Sequence, residues 1–220
     1  MTNKGKYYES QFEEATIELL REAHWQYAFG DDIHRKYTDP LIEEDLRNFL
    51  AVQYKDKNLT TSEMDSIIAN LRNTGGQNDY YALRNAFLLY RDGYDFAYSD
   101  GRDNPFRLEY IDFGHPDHNI FRCVNQFVME QGRENRRPDI LLFINGIPVC
   151  IIELKNPTKQ NATIRDAHTQ ICTRYMRDIS ALLKYCALAV ISDGAKNALG
   201  TTYTPFEFFY EWKKIENEDK

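Results

Sequence analysis

A chain of 220 residues and 25.9 kDa, with 42% hydrophobic, 28% charged and 14% aromatic side chains, is long enough to bury a real core. With only 7 prolines and 11 glycines, its composition excludes collagen, coiled coil and wholesale disorder. The formal net charge of −7 argues at first sight against a nucleic-acid binder.

The average conceals a split. Residues 1–110 hold 13 basic and 20 acidic side chains, whereas residues 111–220 hold 14 of each. Within the second half, residues 133–177 carry eight basic against four acidic side chains, a +4 island in an acidic chain. No apolar run approaches the ~18 residues of a membrane span, and MTNKGKYYES has no signal-peptide core, so no membrane association is expected. Cys123, Cys150, Cys172 and Cys186 lie too far apart for CxxC zinc spacing and suggest no disulfide scaffold; a reduced cytoplasm is the simplest compartment.

The N-terminal half reads as helices. Phe12, Thr16, Leu19, Leu20, Ala23 and Tyr27 recur at helical spacing over about residues 9–27. A second helix follows Asp39-Pro40. Thr60-Thr61-Ser62-Glu63 offers capping chemistry for a third, which Thr74-Gly75-Gly76 ends. A fourth spans 79–91. From about Phe106 the period changes to β-type runs: RLEYIDF, NIFRCVNQFVME, DILLFI and IPVCIIEL. The last two flank Asn145-Gly146, a strong hairpin signal, and IPVCIIEL is apolar at consecutive positions, as in a strand covered on both faces. A helix over about 162–183 and a buried strand at 188–191 complete a β-β-β-α-β order. GAKNALGTT (194–202) lacks the lysine and spacing of a phosphate-binding GxxxxGK[ST] loop and reads as an ordinary loop.

Three charged residues interrupt the most apolar part of the chain: Asp139 at the start of one strand, and Glu153 and Lys155 at the end of the next. Alternation puts Glu153 and Lys155 on one face. Unpaired buried charge costs several kcal/mol, so a strand ending IIELK needs a reason. Two carboxylates converging on a divalent cation, beside an ammonium, supply one, and oxygen ligands suit Mg²⁺. The register tests the idea. A regular two-residue Asn-Gly turn sets Asp139 opposite Ile152, facing away from Glu153. A three-residue bulged turn pairs Phe143 with Ile147 and sets Asp139 diagonal to Glu153 on the same face. The bulged turn, or an equivalent bulge in either strand, is therefore expected. The competing reading of the trio is an ordinary salt bridge at a sheet edge.

RPDILLFINGIPVCIIELKNP resembles the nuclease core of the PD-(D/E)xK superfamily, in the form found at the N-terminus of type I restriction enzyme R (endonuclease) subunits. FEEATIELL, AHTQICTRY, VISDG and PFEFFYEW support the narrower match, which is most specific over residues 137–212. The resemblance implies an α/β fold, a PD-(D/E)xK restriction-endonuclease-like core with a mixed central sheet flanked by helices and an N-terminal helical elaboration. It implies one nuclease domain over 1–220, with a mainly helical part at 1–105, a catalytic core at 106–212 and a charged tail at 213–220, and a chain that is a piece of a longer subunit. Asp139, Glu153 and Lys155 match the family's catalytic positions, with Mg²⁺ (Mn²⁺ as substitute) on Asp139 and Glu153. ATP is expected only through a motor region outside this chain. The implied partners are double-stranded DNA and the modification and specificity subunits of a type I restriction complex, with cutting that reads no sequence.

Many nucleases of this class carry an acidic residue on the first helix that reaches the metal. Glu13 is the better candidate, beside the apolar flank; Glu14 lies with Glu18 and Arg21 on the wet face. The helix after the ELK motif resembles the family's Gln-x-x-x-Tyr element, thought to position DNA, with one residue more between Gln170 and Tyr175. Either a π-bulge absorbs the extra residue, or Gln170 and Arg174 contact phosphate while Tyr175 is core; the apolar stripe favours the second. Arg133, Arg136, Arg137, Lys159, Arg165, Arg174 and Arg177 make the electrostatic case for DNA, with Arg137 and Lys159 nearest the motif. His115 and His118, in FGHPDH, are given no role. The rival to a Mg²⁺-dependent DNA endonuclease is a catalytically silent nuclease-like docking module; a stand-alone structure-specific nuclease is the other enzyme reading.

Overall fold

The structure is a computed structural model that describes residues 4–155 and 163–211, with the side chains of the first helix described from Ser10 onward. Helix α1 (Lys4–Glu22) ends earlier than its periodicity predicts. The His24 amide bonds to Arg21 O and the Trp25 amide to Leu20 O, with His24 at φ 67°: a Schellman cap in the left-handed region. Tyr27 consequently belongs to strand β1 (Gln26–Phe29) and not to the helix. Helices α2 (Glu43–Gln53), α3 (Thr61–Asn73) and α4 (Asp79–Asp92) follow. The expected capping box at α3 is present: Thr60 Oγ1 accepts from the Glu63 amide, and the Glu63 carboxylate accepts from the Thr60 amide.

Two of the β-type runs are shorter than they read. RLEYIDF contributes only β3 (Phe106–Leu108), which pairs with β2 (Tyr94–Phe96) in a separate ribbon, while Tyr110 and Ile111 pack against the helices. NIFRCVNQFVME is broken by Gln126 at φ 54° into β4 (Phe121–Asn125) and β5 (Met129–Gln131), the latter paired with β6 (Glu134–Arg136). Strands β7 (Ile140–Ile144), β8 (Ile147–Leu154), β9 (Leu188–Ser192), β10 (Asn197–Gly200) and β11 (Tyr210–Glu211) complete the set, so part of 194–202 is strand and not loop. The central sheet is mixed and seven-stranded, in the order β1-β4-β7-β8-β9-β10-β11. Among the described residues no helix is long and apolar enough to cross a membrane.

Alternation sorts the sheet into two faces. Val124, Leu141, Phe143, Ile151 and Ile191 pack against Ala167, Ile171, Tyr175 and Leu182 of the helical segment between β8 and β9. Cys123, Ile140, Cys150, Ile152 and Leu154 point the other way, against Ile17 of α1. A third cluster holds α2, α3 and α4 together over Tyr110, Ile147 and Tyr185. The buried Asp45 of α2 accepts both Nε and Nη2 of Arg122 on β4, at 2.6 and 2.7 Å, which ties the helical half to the sheet.

Candidate active site

The β7–β8 hairpin decides whether Asp139 and Glu153 share a face, and it does so by the equivalent bulge within a strand, the expected alternative to a three-residue turn. Ile144 pairs with Ile147 across a two-residue turn whose central residues, Asn145 (φ 51°) and Gly146 (φ 77°), both occupy the left-handed region. Asn145 is fixed there: its side chain donates to Tyr110 O and Asn119 Oδ1 and accepts from the Ile120 amide. A Cβ on Gly146 would lie 2.1 Å from Ile42 O, so that position requires glycine twice over. The extra residue comes later. Phe143 pairs with Pro148 but Leu142 with Cys150, leaving Val149 as a bulge next to a proline that has no N–H to give the ladder. Below the bulge Ile140 pairs with Ile152, so the register carries Asp139 directly opposite Glu153, not diagonal to it.

Both carboxylates therefore lie on the face covered by the β8–β9 helical segment. Asp139 Oδ2 accepts from the Leu154 amide at 2.8 Å, and its carbonyl from the Gln126 amide. Glu153 is 1% exposed. Its Oε1 accepts from Lys155 Nζ at 2.7 Å, while the buried Oε2 makes no hydrogen bond of ordinary geometry among the described residues, the Tyr175 hydroxyl being its nearby polar neighbour. Burial, and secondarily the Asp139 charge, push the Glu153 carboxyl up to about 8 against the opposing pull of Lys155 and, more weakly, of the Tyr175 hydroxyl.

Lys155 is itself held. Its backbone amide donates to Ser192 O, and its Nζ donates to Gln170 Oε1 at 2.9 Å as well as to Glu153. Gln170 Nε2 in turn donates to the Tyr175 hydroxyl at 2.7 Å, and that hydroxyl reaches Arg137 O at 3.5 Å. The structure takes the first of the two readings of the long Gln170–Tyr175 spacing. Helix α5 (Ile164–Thr169) passes into a π-turn over Gln170–Tyr175 and then α6 (Met176–Asp178) and α7 (Ser180–Leu183). Hydrogen bonding from i to i+5 brings residues five apart onto one face. The preferred alternative, a regular helix with Gln170 in line with Arg174, is corrected: the π-turn aims Gln170 at Lys155, while Arg174 is exposed. Tyr175 is core, as that reading had it, but its hydroxyl still joins the site.

Glu13 is placed on the opposite face of the sheet, at the same end. Its carboxylate accepts from Asn125 Nδ2 at 2.7 Å and from Gln126 Nε2 at 3.1 Å, beside a cavity of about 450 Å³ lined also by Glu14, Ile17 and Tyr27. The basic island is smaller than its count. Asp178, one residue beyond the 133–177 window, is buried and binds both Arg136 and Arg177 at 2.6 Å. Sequence reading missed it, although Arg177-Asp178 adjacency was the available signal. Arg165 stacks its guanidinium over Phe206. Arg133, Arg137 and Arg174 are exposed, and Lys159 lies outside the described residues.

Two facing carboxylates, one with a buried oxygen that no described residue satisfies, fit a hard divalent cation better than they fit a closed salt bridge. A mixed sheet flanked by helices, with Pro138-Asp139 leading one hairpin strand and Glu153-x-Lys155 ending its partner, has the architecture of a PD-(D/E)xK nuclease core. Within that class the chain belongs to the type I restriction enzyme R protein N terminus (HSDR_N) family, whose model matches residues 6–208. It is 28% identical, over 96% of its length, to the type I restriction enzyme HindI endonuclease subunit of Haemophilus influenzae, of which it covers 21%. It is 29% identical, over 94% of its length, to the putative MjaIXP endonuclease subunit of Methanocaldococcus jannaschii, covering 20% of that protein. The EcoprrI endonuclease subunit of Escherichia coli is 32% identical over 56% of this chain and 40% of its own. The chain thus spans about a fifth of the first two relatives.

Proposed function

We propose that this chain is the nuclease domain of a type I restriction endonuclease subunit, hydrolysing DNA phosphodiester bonds with Mg²⁺ held by Asp139 and Glu153. The observation that carries the reading is the buried Glu153 Oε2, unsatisfied among the described residues and facing Asp139. When bound, the ion would supply polarisation of a phosphate oxygen and of the attacking water. Asp139 and Glu153 provide the anionic face; the Leu154 amide orients the first, and Lys155 Nζ the second. Lys155, cradled by Gln170, would orient the attacking water or stabilise the negative charge developing on the phosphate. Exposed Arg137 and Arg174, with Lys159, would contact the DNA backbone, and Glu13 would join the ion only by turning from Asn125 and Gln126.

In this reading the domain cuts without reading sequence. An ATP-driven translocase beyond this piece of a longer subunit delivers the DNA, and modification and specificity subunits choose the site. Residues 1–220 act as one unit, with the helices at 1–105 bracing the catalytic core. A cytoplasmic setting agrees with four cysteines that are all free. The 2.7 Å Lys155–Glu153 bond is the observation on the side of a silent docking module. Titration with Mn²⁺ and Mg²⁺ separates the two: binding in the wild type that is lost in Asp139→Ala and Glu153→Ala supports the nuclease, and no binding in the wild type favours the module.

A further inference from the structure

A second cluster lies at the far end of the same hairpin. The loop between β3 and β4 places Asp112, His115 and His118 together, with one donor atom from each within 4.8 Å of the others. Pro116–His118 forms a single 3₁₀ turn, in which positions three apart eclipse, so the imidazoles of His115, its N-cap, and His118, its last residue, stack with centroids 4.9 Å apart. Both turn Nδ1 toward the same oxygen: His118 at 3.1 Å and His115 at 3.6 Å from Asp112 Oδ2. Gln53 Nε2 approaches that oxygen too, at 3.0 Å, while Asp112 Oδ1 is committed to the His115 amide. One carboxylate oxygen, with two lone pairs, is thus faced by three nitrogens.

The arrangement is braced before any ligand arrives. Asp112 is buried, and Asn119 clamps its backbone from both sides, accepting from its amide at 2.9 Å and donating to its carbonyl at 2.8 Å. Asn145 of the hairpin turn donates to the same Asn119 side chain. The imidazole side chains remain 69% and 51% exposed, which gives an ion an entry path. Zinc ligands at about 2.0–2.2 Å in tetrahedral geometry stand about 3.3–3.5 Å from one another. The two carboxylate–imidazole separations, 3.1 and 3.6 Å, bracket that spacing.

We propose that Asp112, His115 and His118 form a binding site for a transition-metal cation, Zn²⁺ by donor chemistry, separate from the carboxylate pair at Asp139 and Glu153. Two imidazoles and one carboxylate suit a borderline-soft ion and not Mg²⁺ or Ca²⁺. Three protein donors leave a coordination position open to water or to a donor from another molecule. The seven steps from Gly146 to Glu153, one of them spent in the Val149 bulge, separate the two sites by about 20 Å along the strand, so neither ion can serve the other's site. A Zn²⁺ ion here would sit on a loop already tied to α2 through Gln53 and to the hairpin turn through Asn119.

Calorimetric titration of the 220-residue chain with Zn²⁺, paired with the visible spectrum of the Co²⁺ form, tests this. The expected result is one tight equivalent in the wild type that persists in the Asp139→Ala, Glu153→Ala double variant. It should weaken by at least about tenfold in each of His115→Ala and His118→Ala, with the Co²⁺ absorption lost in step. Both histidines are exposed, and far-ultraviolet circular dichroism verifies that these variants fold. The proposal is overturned if the wild type binds no tight equivalent, if binding disappears in the double carboxylate variant, or if it survives both histidine replacements. The outcome is independent of Mg²⁺ binding and DNA cutting at the other end of the hairpin.

Discussion

Replacing Glu153 by glutamine should stabilise the metal-free protein, and should do so in a pH-dependent way. Burial, with the Asp139 charge beside it, pushes the carboxyl from its ordinary value of 4.5 up to about 8 in the folded chain. A raised folded pKa contributes stability that is complete below pH 4.5 and is lost as pH climbs through 8. In that window the unfolded chain ionises while the folded chain stays protonated. A tenfold change in proton affinity is worth about 1.4 kcal/mol, so the wild type loses about 3 kcal/mol from this group by pH 7 and about 5 by pH 9. Glutamine keeps the neutral form at every pH and can still accept from Lys155 Nζ. Urea denaturation in EDTA at pH 5, 7 and 8.5 should therefore show Glu153→Gln gaining on the wild type as pH rises. Mg²⁺ or Mn²⁺ should narrow the gap by stabilising only the wild type. If the two proteins keep a constant difference from pH 5 to 8.5, or if the variant is the weaker at pH 8.5, the burial argument fails.

Gly146→Ala forces a Cβ to within 2.1 Å of Ile42 O at φ 77°; a loss of about 2–4 kcal/mol is expected by denaturant titration. Asp45→Ala strands the Arg122 guanidinium in the α2–β4 interface and should cost about 3 kcal/mol, measured in the same way, whereas an exposed control such as Asp95→Ala should change stability by less than about 0.5. Arg137→Ala and Arg174→Ala should each reduce the salt dependence of DNA binding by about one counterion. Arg177→Ala should reduce it less, because Asp178 already neutralises that side chain. Equal slopes for all three would show that the ion pair does not hold Arg177 back from DNA. Gln170→Ala removes one of the two acceptors of Lys155 Nζ among the described residues and should lower metal-dependent cutting by about tenfold or more with unchanged Mg²⁺ affinity; lost affinity would place Gln170 in the ion's support instead.

Much of this was legible in the chain itself. Periodicity and capping chemistry located α2, α3 and α4 and the β7-β8-helix-β9 core, because those signals are local. The charged trio stood out because its residues interrupt apolar runs where charge is costly. What escaped was set by single backbone angles or by distant partners. His24 and Gln126, at positive φ, cut a helix and a strand short with no glycine to announce it. Asp178 claimed two arginines that a charge count had assigned to DNA.

The hairpin draws the division most sharply. Its residues required one bulge somewhere if Asp139 and Glu153 were to share a face, since side-chain direction alternates with every residue. Where that residue goes is a tertiary decision. Asn145 is buried in a network with Tyr110, Asn119 and Ile120, and Gly146 lies against Ile42, so the turn is held at two residues and the surplus moves to Val149. The same holds for the π-turn: the sequence carries an extra residue between Gln170 and Tyr175, and only the packing of Tyr175 together with the pull of Lys155 on Gln170 puts both side chains on one face. Composition and period determine which residues are available to a site. Long-range packing determines which of them meet, because it alone fixes register.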